Sequence, residues 1–197
     1  MTFDLELVAK IIWLLFIVAW GVIRYKPNVK SRKVAISVVS RTLKERFSMI
    51  VSSVGLGYIP LVWIFTDFLD GFDYTQNTML LVIGSGLLLV SLRLFRLTHK
   101  ALGKMWSHSL DLREDHKLVT SGIYEKVRHP MYTAFWVWAI GAAFLLPNWV
   151  AGFSGLVGFG TLFFLRVGQE EEMMKAEFGD EYIAYMKSTK KVFPGIY

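Results

Sequence analysis

The residues best suited to polar chemistry lie in two short charged segments, of which the first is Leu118–Tyr132. Within it, Arg128-His129-Pro130 directly precedes an uncharged stretch that begins at Met131. Proline is favoured in the first turn of a helix, and the free backbone N–H groups at that end bind anions. Arg128 adds a bidentate donor for a carboxylate, and His129 adds a titratable donor or acceptor. The pattern is compatible with an anion-binding site, although anchoring of a helix at lipid headgroups is the commoner role of such residues.

The second charged segment, Arg166–Tyr185, combines a basic residue with a run of three glutamates. Arg166 and Glu170 are four residues apart, so on a helix they share a face and can form an ion pair. Three adjacent glutamates, Glu170 to Glu172, are costly beside a bilayer unless they face a polar cavity or a partner. A solvated acidic helix end is the ordinary alternative. Aromatic and apolar residues at helical spacing in the same segment predict that this helix packs against its neighbours.

Several other kinds of site are excluded or disfavoured by residue type and spacing. The chain has no cysteine, which removes thiolate nucleophiles and cysteine-ligated metals. His99, His108 and His116 lack carboxylates at ligand spacing, so no metal site is predicted. A Gly-Ser-Gly triplet at residues 84–86 lies inside an apolar stretch. It therefore predicts close helix packing instead of dinucleotide binding.

The composition indicates that membrane helices position the two charged segments. Of the 197 residues, 54% are hydrophobic and 19% are charged, and the mean hydropathy is +0.43. Such values are typical of a membrane protein and not of a soluble domain. Apolar stretches close to the roughly 20 residues of a membrane span occur at Leu5–Ile23, Met49–Phe65 and Tyr74–Leu92.

A fourth uncharged stretch, Met131–Leu165, is too long for one span and carries Pro147-Asn148 near its middle. Proline beside asparagine favours a turn, so the stretch predicts a hairpin of two antiparallel helices. We therefore expect an all-α integral membrane protein of about five transmembrane helices. Between the first two spans, Val34–Arg46 has apolar residues on one helical side and predicts an amphipathic helix at the membrane surface.

The distribution of the 22 Lys and Arg residues predicts the orientation. Lys10 lies in the first span, and the others divide into eight in Arg24–Arg46, eight in Arg93–Arg128 and five in Arg166–Tyr197. The short connection Thr66–Asp73 has three aspartates and no basic residue. The positive-inside rule then places the N-terminus outside and the C-terminus, with both charged segments, in the cytosol. A basic cytosolic face that attracts anionic lipids explains the net charge of +6, so no nucleic-acid partner is predicted.

The two charged segments also form a longer motif pattern, in which RHPxY is followed some 35 residues later by RxxxEE and then FGxxY. The pattern extends over Leu102–Pro194 and includes Leu102-Gly103, Leu118-Val119, Gly122, Tyr124, Arg128, His129, Pro130, Tyr132, Arg166, Glu170, Glu171, Phe178, Gly179, Tyr182, Tyr185 and Pro194. It resembles the isoprenylcysteine carboxyl methyltransferase family, within a wider group that includes membrane phospholipid methyltransferases. The short chain resembles a prokaryotic member. The family usually has arginine three residues before the final proline, where this chain has Lys191.

The resemblance implies a membrane methyltransferase that uses S-adenosylmethionine. It implies one membrane domain over residues 1–197, in which residues 1–92 supply the first three helices and a basic loop. Residues 93–197 then form the catalytic, cofactor-binding region, with the helical hairpin at residues 131–165. By resemblance, the cofactor-binding residues are Leu118, Val119, Tyr124, Arg128, His129, Pro130, Tyr132 and Glu171.

The substrate implied by the resemblance is the carboxylate of a lipid-modified molecule such as isoprenylcysteine, whose lipid tail enters from the bilayer. A carboxylate is ionised at neutral pH, so its methylation needs no general base. The enzyme then mainly holds the oxygen in line with the methyl group and excludes water. We expect Arg166, backed by Glu170, to hold the substrate carboxylate. We expect Glu171 to stand at a polar boundary and not in a packed core.

Three other functions remain compatible with the sequence. A phospholipid N-methyltransferase would use the same cofactor but must deprotonate an amine, with His129 or a glutamate as a possible base. Sterol reductases resemble the same group in their C-terminal half and use NADPH, whose phosphates should require more basic residues than this region offers. A non-enzymatic membrane scaffold is the third alternative, for which the paired motifs would be accidental.

Overall fold

The computed structural model describes residues 4–31, 36–40, 42–103, 110–113 and 117–195. Within these ranges most residues are helical, in agreement with the apolar pattern of the sequence. The α-helices are α1 (Leu5–Ser31), α2 (Leu43–Ser53), α3 (Ile59–Phe65), α4 (Thr78–Leu102), α5 (Pro130–Leu145) and α6 (Trp149–Ser188). A π-helical turn, Val54–Tyr58, joins α2 to α3, and short 3₁₀ turns occur at Asp67–Phe72 and Gly122–Glu125.

Within the described part of the chain, four helical segments are long and apolar enough to cross a membrane. They are Leu5–Lys30, Leu43–Phe65, Thr78–Leu102 and Trp149–Ser188. Helix α5 is also apolar but has 16 residues, fewer than the roughly 20 that a full span needs. It forms the expected hairpin with α6, so four of the five predicted transmembrane helices have the length of a span and the fifth is shorter.

The helices extend beyond the charged residues at which the sequence placed the ends of the spans. Helix α1 continues past Arg24 to Ser31, and α4 continues past Arg93 to Leu102. An apolar stretch reports the thickness of the hydrocarbon layer, whereas backbone hydrogen bonding in a helix continues equally well in water. The predicted spans therefore mark the apolar parts of longer helices.

The segment Val34–Arg46, predicted as a surface helix, contains a strand instead. Strand β1 (Ile36–Ser40) pairs antiparallel with β2 (Leu110–Arg113), and α2 begins only at Leu43. The run ISVVS is rich in β-branched residues, which favour strands. The helix prediction was wrong because the pairing partner lies about 70 residues further along the chain, where a local pattern cannot reveal it.

Side-chain caps begin three of the helices, and a hydrogen-bond network ties the hairpin to the loop before α4. Thr42 caps α2, Asn77 caps α4 and Asn148 caps α6. The amide nitrogen of Asn148 also donates to the carbonyl of Leu69 at 2.7 Å and to Asp73 Oδ1 at 2.6 Å. The predicted turn at Pro147-Asn148 therefore both starts α6 and ties the hairpin to the loop before α4.

Helix α5 packs between α4 and α6, while α2 packs on α6 and α1 on α4. Small residues allow the closest approaches. A Cβ added at Gly84 of α4 would stand 2.6 Å from the backbone nitrogen of Leu145, and one at Gly55 would stand 2.3 Å from the carbonyl oxygen of Ser154. Both distances are far below van der Waals contact, so these helices can pack this closely only with glycine.

Helix α6 bends sharply at Gly179, whose φ of 51° is in the left-handed region that favours glycine. The bend turns the last part of the helix, with Tyr182 and Tyr185, back toward the bundle, where both rings are buried. The glycine of the FGxxY motif is therefore the residue at which the chain turns back toward the bundle.

Candidate active site

The C-terminal segment holds the start of α5 through backbone hydrogen bonds. The N–H of Arg128 donates to the carbonyl of Lys190 at 2.8 Å, and the N–H of His129 donates to that of Lys191 at 2.9 Å. This contact requires the chain to return after α6, which the bend at Gly179 provides. The two charged segments of the sequence are thereby brought together.

Glu171 of α6 lies at the centre of a buried charged cluster. Its Oε1 accepts from Arg128 Nη2 at 2.7 Å and Nε at 3.2 Å, and lies 3.3 Å from His129 Nε2. Its Oε2 lies 3.3 Å from Lys191 Nζ. Glu171 is only 6% exposed, so it is part of a packed interior and not of the polar boundary that its place in the sequence indicates.

Arg128 connects this cluster to the end of α6. Besides its bonds to Glu171, its Nη1 donates to the carbonyl of Met186 at 3.2 Å and to the carbonyl of Thr189. Several N–H groups of its guanidinium therefore donate to other groups of the protein. Arg128 positions the C-terminal segment as well as contributing to the wall of the site.

Glu170 forms a second carboxylate centre beside the first. The hydroxyl of Tyr132 donates to Glu170 Oε2 at 2.5 Å, and His129 Nδ1 lies 3.7 Å from Oε1. The expected pairing with Arg166 is present, with Arg166 Nε 3.8 Å from Glu170 Oε2. Arg166 Nη1 lies 3.7 Å from Oε1 of Glu45, a residue of α2 that the sequence did not single out.

A weak signal for Glu45 exists in the sequence. Glu45, Ser48 and Ser52 are three and four residues apart, which places three polar residues on one side of a helix that crosses an apolar layer. All three are buried. A polar stripe of this kind indicates a polar partner on a neighbouring helix.

His129 lies between the two carboxylates, and its pKa reflects both. Burial lowers the pKa of the imidazole, but hydrogen bonds to Glu170 and Glu171 and their negative charges raise it above the ordinary value of 6.5. The net shift is upward, so the two carboxylates stabilise the protonated form relative to a free imidazole. His129 thus bridges the two carboxylates, with one ring nitrogen facing each of them.

Most of the predicted site residues line one cavity of about 400 Å³. Nine of the ten predicted residues line it: Leu118, Val119, Tyr124, Arg128, His129, Pro130, Tyr132, Arg166 and Glu170. The tenth, Glu171, stands behind Arg128 and His129 and holds them in place.

The sequence did not reveal how much the first helices contribute to this cavity. Helix α1 presents Trp13, Ile17, Trp20 and Arg24 to it, and α2 presents Met49. Their spacing of four, three and four on α1 is that of one helical stripe, but an apolar stripe in a membrane helix faces lipid just as often. Whether such a stripe faces lipid or a cavity depends on how the helices pack against each other, which the sequence does not show.

The cavity thus has an apolar, largely aromatic part and a charged end. Within the ranges that the structure describes, no group of three or more His, Asp or Glu side chains is arranged to hold a metal ion. The charged end can bind an anion through arginine and a cation through Glu170. The aromatic walls exclude water from whatever binds between them.

Fold and site together define a mainly α-helical, multi-pass integral membrane protein with a charged cavity between the start of α5 and the C-terminal half of α6. Residues 81–176 match the isoprenylcysteine carboxyl methyltransferase family. The resemblance drawn from the two charged segments is thereby confirmed, and the family implies a methyl donor as co-substrate.

Curated relatives agree with this match. Over 94 residues the chain is 33% identical to protein-S-isoprenylcysteine O-methyltransferase B of Arabidopsis thaliana, covering 47% of this chain and 48% of that protein. It is 37% identical over 94 residues to the protein-S-isoprenylcysteine O-methyltransferase of Schizosaccharomyces pombe, covering 47% and 40%. With that of Homo sapiens it shares 36% identity over 83 residues, covering 42% and 29%. The matched segment thus spans less than half of each of these relatives.

A solved structure confirms the fold class. The eukaryotic intramembrane Ras methyltransferase, isoprenylcysteine carboxyl methyltransferase, superposes with a TM-score of 0.54 at 24% sequence identity. The superposition covers 81% of this chain and 55% of that one, so it extends beyond residues 81–176 into the first helices.

Proposed function

We propose that this chain is an S-adenosylmethionine-dependent membrane methyltransferase that methylates the carboxylate of a lipid-modified substrate, with isoprenylcysteine as the substrate class. The observation that carries the proposal is one cavity that combines both charged segments of the family motif with an apolar wall. The relatives that the chain matches are isoprenylcysteine O-methyltransferases, which supports the same reaction.

The cavity fits the proposed cofactor in size and chemistry. Its volume of about 400 Å³ lies within the range of roughly 300–1,000 Å³ of small-molecule sites. Leu118 and Val119 offer an apolar contact for an adenine ring, and Glu170 offers a carboxylate for hydroxyl or ammonium groups. The N-terminus of α5, beside Pro130, can accept a carboxylate. When bound, S-adenosylmethionine supplies a methyl group on a positively charged sulfonium.

In the proposed reaction a carboxylate oxygen of the substrate forms a bond to the methyl carbon while the carbon–sulfur bond breaks. The products are a methyl ester and S-adenosylhomocysteine, and no proton is transferred. The chain therefore has to bind and orient both molecules and keep water away. Arg166 holds the substrate carboxylate, while Glu170, Tyr132 and His129 form the rigid polar wall beside it.

The surroundings of His129 favour a carboxylate over an amine as the methyl acceptor. An amine must lose a proton before it can attack, and the nearest candidate base is this imidazole. Both of its ring nitrogens already lie beside carboxylate oxygens, Nδ1 at 3.7 Å from Glu170 and Nε2 at 3.3 Å from Glu171. The imidazole is therefore engaged by the protein itself, whereas carboxylate methylation does not need a base.

The proposed arrangement places the lipid tail among the membrane helices. Residues of α1 and α2 line the apolar part of the cavity, and a tail can reach it sideways from the bilayer. We propose that the N-terminus lies outside and that the C-terminus and the charged end of the cavity face the cytosol, where a soluble cofactor is available. The proposed catalytic region is residues 93–197, and residues 1–92 complete the cavity.

The cofactor assignment is tested by thermal unfolding of the detergent-purified protein. S-adenosylhomocysteine at 100 times its dissociation constant should stabilise the fold by about 2.7 kcal/mol, and NADPH should not. Stabilisation by NADPH alone would move the protein to the reductase class. Stabilisation by neither would support a scaffold.

The substrate assignment is tested by Arg166→Lys, with binding and transfer measured separately. Lysine keeps the charge but loses the planar fork that orients a carboxylate. We expect S-adenosylhomocysteine to bind as before and methyl transfer to a prenylcysteine to fall at least tenfold. Loss of cofactor binding in this variant would instead give Arg166 a structural role. Faster methylation of a phospholipid amine than of prenylcysteine by the wild type would refute the carboxylate assignment.

A further inference from the structure

Glu45 is a buried carboxylate that the family match does not include. It lies on α2, outside residues 81–176, and is only 4% exposed. Its Oε1 stands 3.7 Å from Nη1 of Arg166, which lines the cavity. Glu45 itself is absent from the cavity wall among the described residues, so it acts on the site through Arg166.

The fold directs this carboxylate into the bundle. Glu45 occupies the third position of α2, where its N–H donates to the capping oxygen of Thr42 at 3.1 Å. With Ser48 and Ser52 it forms the buried side of α2, and α2 packs on α6. An ionised group at such a position is stable only when a charge of opposite sign compensates it. Arg166, whose side chain is 11% exposed, supplies that charge.

Arg166 is held from two directions. Glu170, four residues further along the same helix, contacts Nε at 3.8 Å, and Glu45 contacts Nη1 from the neighbouring helix at 3.7 Å. A planar guanidinium held at both nitrogens cannot rotate about its last torsions without losing one ion pair. Removal of the Glu45 charge takes away the ion pair that reaches this guanidinium from the neighbouring helix.

We propose that Glu45 is a positioning residue that fixes the direction of the Arg166 guanidinium toward the substrate carboxylate. The inference rests on the proposed function and names a residue of the first helices on which the rate depends. Glu45 also competes with the substrate, because it is an anion on the same guanidinium. Its removal therefore affects rate and binding in opposite directions.

The test is Glu45→Gln, which keeps the shape of the side chain and removes its charge. We expect the turnover rate for a prenylcysteine to fall at least tenfold, the KM to stay equal or decrease, and the affinity for S-adenosylhomocysteine to stay within twofold. Glu45→Asp, which retains the charge one methylene further away, should recover part of the rate. The matched control is Glu172→Gln, because the Glu172 side chain is 74% exposed and forms its ion pair with Lys175 at the surface.

A merely structural role predicts a different pattern. In that case Glu45→Gln and Glu45→Asp would lower thermal stability, cofactor affinity and turnover together, and that outcome overturns the inference. An unchanged turnover in Glu45→Gln overturns it as well. If Glu45→Gln does not fold, Glu45→Asp decides by the same separation of turnover from cofactor affinity. A wild-type protein that transfers no methyl group refutes the proposed function, whereas an active wild type with an equally active Glu45→Gln refutes only the inference.

Discussion

Replacing Glu171 with glutamine should destabilise the protein strongly, because this carboxylate compensates the charges of Arg128 and Lys191 and also contacts His129. Arg128 Nη2 lies 2.7 Å from it, and His129 Nε2 and Lys191 Nζ each lie at 3.3 Å. The side chains of Glu171 and Arg128 are 8% and 7% exposed, so solvent screens little of the charge. Removing one partner of a buried ion pair costs about 3–5 kcal/mol.

For a chain of this size each kcal/mol shifts the melting temperature by roughly 2–4 °C, so the expected decrease is roughly 6–20 °C. The measurement is thermal unfolding of detergent-purified protein, followed by tryptophan fluorescence without ligand. Glu172→Gln removes the neighbouring, exposed carboxylate and should change the melting temperature by about 2 °C at most, because an exposed helical pair contributes only about 0.3–0.5 kcal/mol.

The reasoning also predicts how two substitutions combine. Arg128→Met alone should be costly, but added to Glu171→Gln it should cost less than the two single effects together, because both partners of the pair are then neutral. A Glu171→Gln variant that melts within 2 °C of the wild type would refute the picture of a buried charged cluster. Full additivity of the two substitutions would do the same.

Three further predictions follow from the fold and the site. Burial lowers the pKa of His129, but the hydrogen bonds and charges of Glu170 and Glu171 raise it by more, so the stabilising contribution of this residue is complete below pH ~6.5. This contribution is lost as the pH rises through the folded-state pKa, so the melting temperature should decrease over that range. His129→Gln should flatten the plot of melting temperature against pH. A wild-type melting temperature that rises with pH would contradict this. Accessibility tags at Asp70 and at the C-terminus should report opposite sides of the membrane, and labelling of both from one side would remove the proposed orientation. Gly84→Ala should lower the free energy of unfolding by about 1–3 kcal/mol, because the added Cβ would stand 2.6 Å from the Leu145 backbone. Gly86→Ala is the control and should be neutral in the same unfolding assay, because its Cβ would meet nothing within 4 Å.

The composition of the chain, and the order of its charged and uncharged stretches, determined the fold class and the two segments that form the site. Uncharged stretches indicate directly which segments lie in the hydrocarbon layer. Arg128, His129, Arg166 and the glutamates at 170 and 171 stand out because they are charged or polar beside long apolar stretches. Such signals are local, so they can be recognised in one chain without knowledge of its packing. The same locality explains why the antiparallel pairing of β1 with β2 was missed.

The tertiary structure alone decided which groups meet. The bend at Gly179 returns the chain to the start of α5, and this places Lys191 beside Glu171 and makes that carboxylate a buried centre of the cluster. Glu45 reaches Arg166 because α2 packs on α6, across about 120 residues of sequence. Periodicity shows which side of a helix is polar, but the partner of that side depends on how the helices are arranged in space. A charged side chain that the fold buries needs a partner of opposite charge, because an uncompensated buried charge is costly. Which partner is within reach depends on the folded chain.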